Sequence, residues 1–166
     1  MIEVYGRMTP VGEVRIAVKD DTLVGLGFLD GWNRVERHLR RQFRDEELRE
    51  TKGQTEVGSR LDAYMKGQLD ALAGIAVDTG GTSFQRRCWS AISDIPAGQT
   101  RSYAELATAA GAPSAVRAAG TACGANPIGL AIPCHRVVRA DGDPGNYGGG
   151  PERKEWLLAH ERRHSR

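Results

Sequence analysis

The feature that most constrains the fold is a closely spaced series of helix start and stop signals in the second half of the chain. Thr82–Gln85 has the spacing of a capping box, and so does Ser102–Glu105. Each box predicts a helix start, and Gly111–Pro113 ends the second helix because proline cannot continue one. Ser114 is predicted to cap a third helix, from Ala115 to about Ala125. The last two helices and their short turn predict a helix-turn-helix.

The first half of the chain is predicted to be rich in strands. Val14–Val18 alternates between apolar and polar residues, and Leu23–Phe28 is a second apolar strand. Asp20 and Asp21 mark a turn between them, which predicts a hairpin or meander. Apolar residues at helical spacing then predict two helices, one with Val35, Leu39 and Phe43, the other with Leu61, Tyr64, Met65, Leu69 and Leu72.

A boundary is predicted at the glycines that follow Thr79. It separates domain 1–80, an N-terminal sheet-plus-helix lobe, from domain 81–166, a mainly helical lobe. The fold class is therefore α/β, with a winged-helix-like helix-turn-helix as the candidate DNA-binding element. The geometry of two short helices around a turn is, by itself, equally compatible with a simple αα-corner. No apolar run reaches the roughly 20 residues needed to cross a bilayer, and the N-terminus lacks the pattern of a signal peptide, so a cytoplasmic protein without membrane contact is expected.

The charge is divided unevenly between the two halves. Residues 1–82 carry 12 Lys and Arg against 14 Asp and Glu, whereas residues 83–166 carry 11 against 7. The basic half is the one with the helix-turn-helix pattern. Because basic side chains neutralise phosphates, this asymmetry modestly favours nucleic acid as a partner.

The three cysteines have no CxxC spacing and are odd in number, which argues against a disulfide framework or zinc knuckle and indicates a reducing compartment. Cys88 is predicted to be core, and Cys123 to pack or to face DNA. Cys134 stands in Pro133–Arg136, next to His135. A thiol with a pKa of about 8.5 needs a neighbouring base or cation to react, and His135 and Arg136 offer both.

Five blocks of the C-terminal half together resemble the O6-alkylguanine-DNA alkyltransferases, and the N-terminal half resembles them only loosely. The blocks are Gln99–Tyr103, Ala115–Gly120, Asn126–Pro127, Ile132–Val137, and Gly145–Tyr147 with Lys154–Glu161.

The resemblance implies repair of DNA by direct reversal of damage. Cys134 would take the alkyl group from O6 of guanine, and also from O4 of thymine, irreversibly and once per molecule, without a cofactor. The thiol proton would pass through a water to His135, which Glu161 orients. Asn126 would be the hinge that ties the DNA-binding helix to the active-site turn. Adjacent residues of a strand point to opposite faces, so Cys134 and His135 can cooperate only through a water or a turn of the chain.

The resemblance also assigns substrate and DNA contacts. The helix around Arg117 would lie in the minor groove of double-stranded alkylated DNA, with Arg117 filling the gap left by the flipped nucleotide. A stacked base cannot reach a thiol in a pocket, so flipping is required. The flipped base would be held by Tyr103, Val137, Tyr147 and Gly148, and further DNA contacts would come from Ser102, Ser114, Ala118 and Thr121.

Other functions remain as alternatives. A helix-turn-helix regulator would bind DNA and leave Cys134 inert. A papain-like cysteine hydrolase lacks an oxyanion or peptide-groove signature. His160–His164 matches the zinc motif HExxH, but a third ligand would have to come from upstream, Glu161 has a competing role, and the arginine pair within the motif disfavours a dication, so no metal is expected. The glycine-rich loop around Tyr147 lacks a phosphate-binding motif. No obligate protein partner is inferred.

Overall fold

The computed structural model describes residues 1–143, 145 and 147–165 and divides into two compact units. The first unit comprises Met1–Gly80 with Pro127–Ala131, and the second comprises Gly81–Asn126 and the chain from Ile132 onward. Asn146, which belongs to one of the resembling blocks, lies outside the described residues. Within the described ranges, no helix is long and apolar enough to cross a membrane.

A four-stranded sheet forms the centre of the first unit. Its strands follow the order β3-β2-β1-β4, with β1 antiparallel to β2, β2 antiparallel to β3, and β4 parallel to β1. The strands are β1 (Ile2–Thr9), β2 (Gly12–Lys19), β3 (Thr22–Phe28) and β4 (Leu48–Glu50).

The predicted hairpin is confirmed as β2 and β3. Asp20 and Asp21 join the strands with φ angles of 48° and 63°. A two-residue hairpin turn requires this left-handed region, which aspartate tolerates better than most residues. Strand β1 was not predicted, although Ile2 and Val4 are buried and alternate with less buried neighbours.

Two helices complete the first unit, α1 (Trp32–Gln42) and α2 (Glu56–Met65). The prediction that α2 continues to Leu72 is wrong. Gly67 has a φ of 110°, and its amide closes a turn on the Tyr64 carbonyl at 3.0 Å. Most side chains lack access to that conformation, and glycine ends helices in this way. A cluster of buried hydrophobic residues in the first unit joins the sheet to α1. Its members are Ile2, Val4, Ala17, Val24, Trp32, Val35 and Leu39.

The second unit is mainly helical, as predicted. Thr82 with Gln85 and Ser102 with Glu105 each form both hydrogen bonds of a capping box. Cys88 is buried in the core, as expected. The elements are α3 (Ser83–Ser93), β5 (Arg101–Ser102), α4 (Tyr103–Ala109), α5 (Val116–Gly124), β6 (Val137–Val138) and α6 (Pro151–His164), and β5 pairs in parallel with β6.

The helix-turn-helix consists of α4 and α5, but the predicted cap of its second helix is wrong. Helix α5 begins at Val116, and Ala115 is its N-cap residue, without a side-chain hydrogen bond. The Ala115 amide instead donates to the Ala112 carbonyl at 2.9 Å. The backbone turn therefore leads into the helix, and Ser114 stays exposed within that turn.

The run before Cys134 is not the extended segment that its apolar residues predict. In the first unit, Ile128 makes an isolated parallel bridge with Leu26, and the chain then turns at Leu130, which has a φ of 70°. In the second unit, Cys134–Arg136 forms a short 3-10 helix. The chain thus turns at Cys134, which is the condition under which Cys134 and His135 can act together.

Candidate active site

Hydrogen bonds hold the turn that carries Cys134. The Asn126 side chain is buried, and its Nδ2 donates to the Ile132 carbonyl at 2.8 Å. The Cys134 amide donates to the same carbonyl at 2.8 Å, and the Arg136 amide donates to the Pro133 carbonyl at 2.9 Å. Asn126 follows the C-terminus of α5, so its side chain links the end of that helix to the turn.

A buried carboxylate lies behind the turn. Glu161 on α6 accepts a hydrogen bond from His135 Nε2 at 2.7 Å. It also accepts two from Arg136, from Nε at 2.8 Å and from Nη2 at 2.9 Å. The remaining Arg136 contact goes from Nη1 to the Ile95 carbonyl at 2.7 Å. A carboxylate can remain charged inside a protein when it is paired and hydrogen-bonded in this way.

Gly98 completes the environment of Glu161. Its amide donates to Glu161 Oε1 at 3.2 Å. Its φ is 83°, and a Cβ atom at this position would collide with the Ser165 side chain. Both the backbone conformation and the close approach therefore require glycine at position 98.

The charges at this site fix which nitrogen of His135 carries the proton. Burial would raise the pKa of Glu161, but hydrogen bonds from His135 and Arg136 outweigh it and hold the pKa well below its usual range. An ionised carboxylate only accepts, so His135 Nε2 must be the protonated nitrogen. Burial lowers the pKa of His135 despite the opposing effect of Glu161, which keeps the ring neutral.

The other ring nitrogen is then free to act as a base. His135 Nδ1 is buried and has no hydrogen-bond partner among the described residues. In the neutral ring this nitrogen is an acceptor. His135 directly follows Cys134 in the same 3-10 helix, and Cys134 itself is 9% exposed. Chemically, these three side chains can serve as a nucleophile, a base and an orienting carboxylate.

Arg136 does not have the part that the sequence suggested. It was expected to be a cation that activates the thiol, but its guanidinium is bound to Glu161 and to the Ile95 carbonyl. Its charge therefore compensates the buried carboxylate.

Sequence reasoning missed Lys154. This lysine on α6 is fully buried, and its Nζ donates to the Val137 carbonyl at 2.6 Å. Burial lowers its pKa, while the charges of the Cys123 and Cys134 sulfurs oppose that effect, which places the ammonium within electrostatic reach of both thiols. A signal was available, because Lys154 lies seven residues before Glu161 and shares the helix face of buried Leu157 and Leu158.

Two tyrosines lie close to the thiols. Burial, aided by the charges of the Cys123 and Cys134 sulfurs, raises the pKa of Tyr103 to about 12. The ring of Tyr147 meets the His135 ring edge-on, with centroids 6.4 Å apart. Burial and then the charge of Cys134 raise the pKa of Tyr147 well above 10. Both hydroxyls therefore remain protonated and can donate hydrogen bonds.

The predicted substrate and DNA contacts fall on different parts of the second unit. Val137 is buried in β6, whereas Gly148 is exposed in the loop before α6. Arg117, Ala118 and Thr121 are exposed on one side of α5, which buries Ala119 and Ala122 on the other. Ser114 is also exposed. Ser102 is half-buried, and its hydroxyl accepts a hydrogen bond from the Glu105 amide at 3.0 Å.

The HExxH pattern at the end of α6 serves packing. His160 is buried and stacks on Trp156, with ring centroids 4.8 Å apart and an angle of 15° between the planes. Glu161 points to His135 and Arg136. Within the part of the chain that the structure describes, no three His, Cys, Asp or Glu residues form a group that could hold a metal ion.

Comparisons with known proteins agree with this geometry. Residues 83–163 match the family model for the 6-O-methylguanine DNA methyltransferase DNA-binding domain. A methylated-DNA–protein-cysteine methyltransferase of Mycolicibacterium paratuberculosis is 42% identical over 99% of this chain and 95% of the relative. The chain belongs to the family of methylated-DNA–protein-cysteine methyltransferases.

Solved structures show the same similarity. The Mycobacterium tuberculosis protein OGT, crystallised in complex with DNA, has a TM-score of 0.84 and 35% identity and covers 98% of this chain and 94% of its own. The O6-methylguanine-DNA methyltransferase of the archaeon Pyrococcus kodakaraensis has a TM-score of 0.74 and 26% identity, over 97% of this chain and 99% of its own.

Proposed function

We propose that this methyltransferase repairs DNA by moving an alkyl group from O6 of guanine to the sulfur of Cys134. The observation that carries the proposal is the hydrogen bond between His135 Nε2 and ionised Glu161. It leaves the buried Nδ1 of His135 as a hydrogen-bond acceptor in the residue next to Cys134. Metal-free thiol chemistry requires such a base, because the thiolate is the nucleophile.

In the proposed reaction, the Cys134 proton passes through a water to His135 Nδ1, and the thiolate attacks the alkyl carbon. The carbon–oxygen bond breaks, and the guanine oxygen leaves with the electron pair. Tyr103, whose raised pKa keeps it protonated, supplies a hydrogen bond to the departing base. The thioether is stable, so each molecule acts once. O4-alkylthymine presents the same alkyl–oxygen bond and is the second substrate.

The proposed DNA contact is the exposed side of α5, placed in the minor groove of a duplex. Ala118 and Thr121 present small side chains there, which lets the backbone approach DNA closely. Ser102 is the N-cap residue of α4, and Ser114 is exposed in the turn before α5. Arg117 fills the stack after the target nucleotide flips out, and Asn126 couples α5 to the turn of Cys134. Val137, Tyr147 and Gly148 surround the base. No cofactor takes part.

Three free cysteines support a reducing, cytoplasmic location.

Intact-mass measurement after incubation with a duplex that contains O6-methylguanine tests the function. We expect one methyl group per molecule and no further increase with excess DNA. Cys134→Ser should abolish the addition while leaving lesion binding largely intact, and Cys88→Ser is the matched control that should still be methylated. An unchanged mass together with tight DNA binding would instead identify a regulator without chemistry.

A further inference from the structure

A second cysteine adjoins the proposed acceptor. The Cys123 thiol, on the last turn of α5, lies 3.8 Å from the Cys134 carbonyl oxygen. Both side chains are nearly buried, at 8% and 9% exposure, and neither forms a disulfide within the described residues. The repair reaction described above uses only one of the two sulfurs.

Contacts with other residues fix the positions of Cys123 and Cys134. Cys123 and Cys134 are 11 residues apart, and the Asn126–Ile132 hydrogen bond draws the two ends of this segment together. Cys123 sits on a helix that the Trp89 indole fastens by a 2.8 Å hydrogen bond to the Ala122 carbonyl. The Cys123 sulfur is therefore held against the backbone of Cys134, and a disulfide then requires the two sulfurs to approach to about 2.05 Å.

We propose that Cys123 and Cys134 form an oxidative modification site, in which hydrogen peroxide converts the pair into a reversible disulfide. The inference goes beyond the proposed repair function, since the pairing requires neither DNA nor alkyl transfer. Only its consequence rests on that function: a Cys134 sulfur held in a disulfide cannot accept an alkyl group.

The chemistry assigns different parts to the two sulfurs. The Cys134 thiolate attacks one peroxide oxygen, the oxygen–oxygen bond breaks, and hydroxide leaves and takes up the proton released by that thiol. Cys134 is then a sulfenic acid. The Cys123 sulfur attacks the Cys134 sulfur, the sulfur–oxygen bond breaks, and the departing hydroxide leaves as water with the Cys123 proton. Two thiols are oxidised, and one peroxide is reduced to two waters.

The environment supports this division. The Cys123 thiol donates to the Cys134 carbonyl, and hydrogen bonding with Cys134 and burial both raise the pKa of Cys123. The buried Lys154 ammonium interacts with both sulfurs and favours a negative charge between them. Because His135 adjoins Cys134 in the same 3-10 helix and its Nδ1 can accept a proton, peroxide attacks at Cys134. Cys123 then resolves the sulfenic acid before further oxidation makes the damage irreversible.

Peptide mapping tests the proposal directly, because the chain places both cysteines in one tryptic peptide. Residues 118–136 contain no internal Lys or Arg, whereas Cys88 falls in peptide 88–101. Reduced protein is treated with hydrogen peroxide, its remaining thiols are capped with iodoacetamide, and it is digested. We expect peptide 118–136 to lack both caps and to be two hydrogen atoms lighter than the reduced peptide. Dithiothreitol should restore both thiols.

Variants separate a disulfide from simple oxidation. Cys88→Ser should behave as the parent, while Cys123→Ser and Cys123→Ala should show no disulfide and accumulate oxygen on Cys134. After the same exposure and reduction, the parent should regain nearly all of its methyl transfer, and both Cys123 variants little of theirs, each compared with its own reduced state. Two capped cysteines in the oxidised parent, or equal recovery in the Cys123 variants, would overturn the proposal.

Discussion

In the proposed reaction, the role of His135 as a base depends on the neighbours that decide where its proton lies. Ionised Glu161 holds the proton on Nε2, and burial keeps the ring neutral, so Nδ1 accepts. We expect His135→Ala to slow transfer by about 10²-fold, the usual contribution of general-base catalysis. His164→Ala, which alters an exposed histidine of α6, is the control and should react at the parent rate.

A pH-rate profile in single-turnover conditions completes this test. Because the pKa of His135 is lowered, the parent rate should hold at neutral pH and fall only below the usual value of about 6.5, where Nδ1 becomes protonated. His135→Ala should lose that acidic limb. Superimposable profiles would leave His135 with a structural role alone.

Glu161 should contribute to the stability of the fold as well as to the proposed reaction. Glu161→Gln leaves the Arg136 guanidinium, which is 8% exposed, without its buried counter-charge. Breaking one partner of a buried pair costs about 3–5 kcal/mol. Because the pKa of Glu161 is lowered, its stabilising effect is fully present above the ordinary value of about 4.5 and is lost as the pH falls below it.

Urea unfolding measures this effect. Glu161→Gln should unfold at a much lower urea concentration than the parent near neutral pH, and the difference should shrink in acid. Glu155→Gln changes an exposed glutamate on the same helix and should alter stability by less than about 0.5 kcal/mol. If the two variants lose the same unfolding free energy, the hydrogen bonds and ion pair of Glu161 do not contribute specially to stability.

The starts of helices α3, α4 and α5 show what local sequence can and cannot predict. The capping boxes at Thr82 and Ser102 involve residues three apart, so sequence spacing alone located the starts of α3 and α4. The start of α5 depends on the backbone turn closed by Ala115 and Ala112. A side-chain rule applied to Ser114 could not identify it.

Arg117 provides the test of what α5 does on DNA. It is exposed on a face of small residues, so a role in filling the stack predicts that Arg117→Ala impairs transfer in duplex DNA more than in a single strand. An ordinary phosphate contact would lower the slope of log affinity against log salt by about one and slow both substrates alike. Arg163→Ala removes another exposed arginine of the same unit and should affect both substrates equally.

Single-turnover transfer on matched duplex and single-stranded oligonucleotides, with binding measured at several salt concentrations, distinguishes these roles. Equal slowing of Arg117→Ala on both substrates, in proportion to its lost affinity, would reduce this residue to a phosphate contact.

The sequence predicted the fold class and the reaction, but not the contacts that connect distant segments of the chain. Glu161 and His135 are 26 residues apart, and only the family resemblance joined them. Strand β1 was missed because its pairing with β2 and β4 stabilises it, and pairing leaves little trace in eight residues. Lys154 escaped notice because a buried lysine depends on its surroundings, here the Val137 carbonyl.

Each unit contains a buried histidine that should weaken the fold in mild acid. Burial lowers the pKa of His38 in the first unit, although its Nε2 lies 2.6 Å from the Thr79 carbonyl, and burial lowers that of His135 in the second. Above the usual value of about 6.5, folded and unfolded chains bind the same number of protons at these sites. Below it, the unfolded chain takes up protons that the folded one resists, so stability falls with falling pH.

The slope of the unfolding free energy against pH distinguishes the contribution of His38 from that of His135. Each can remove up to about 1.4 kcal/mol per pH unit between its unfolded and folded pKa values. His38→Gln keeps an N–H that can donate to Thr79 but cannot titrate, so it should flatten the pH dependence without a large loss at neutral pH. Urea unfolding from about pH 7.5 to 5 measures both quantities. A slope in His38→Gln equal to that of the parent would show that His38 takes up its proton as readily in the folded protein as in the unfolded chain.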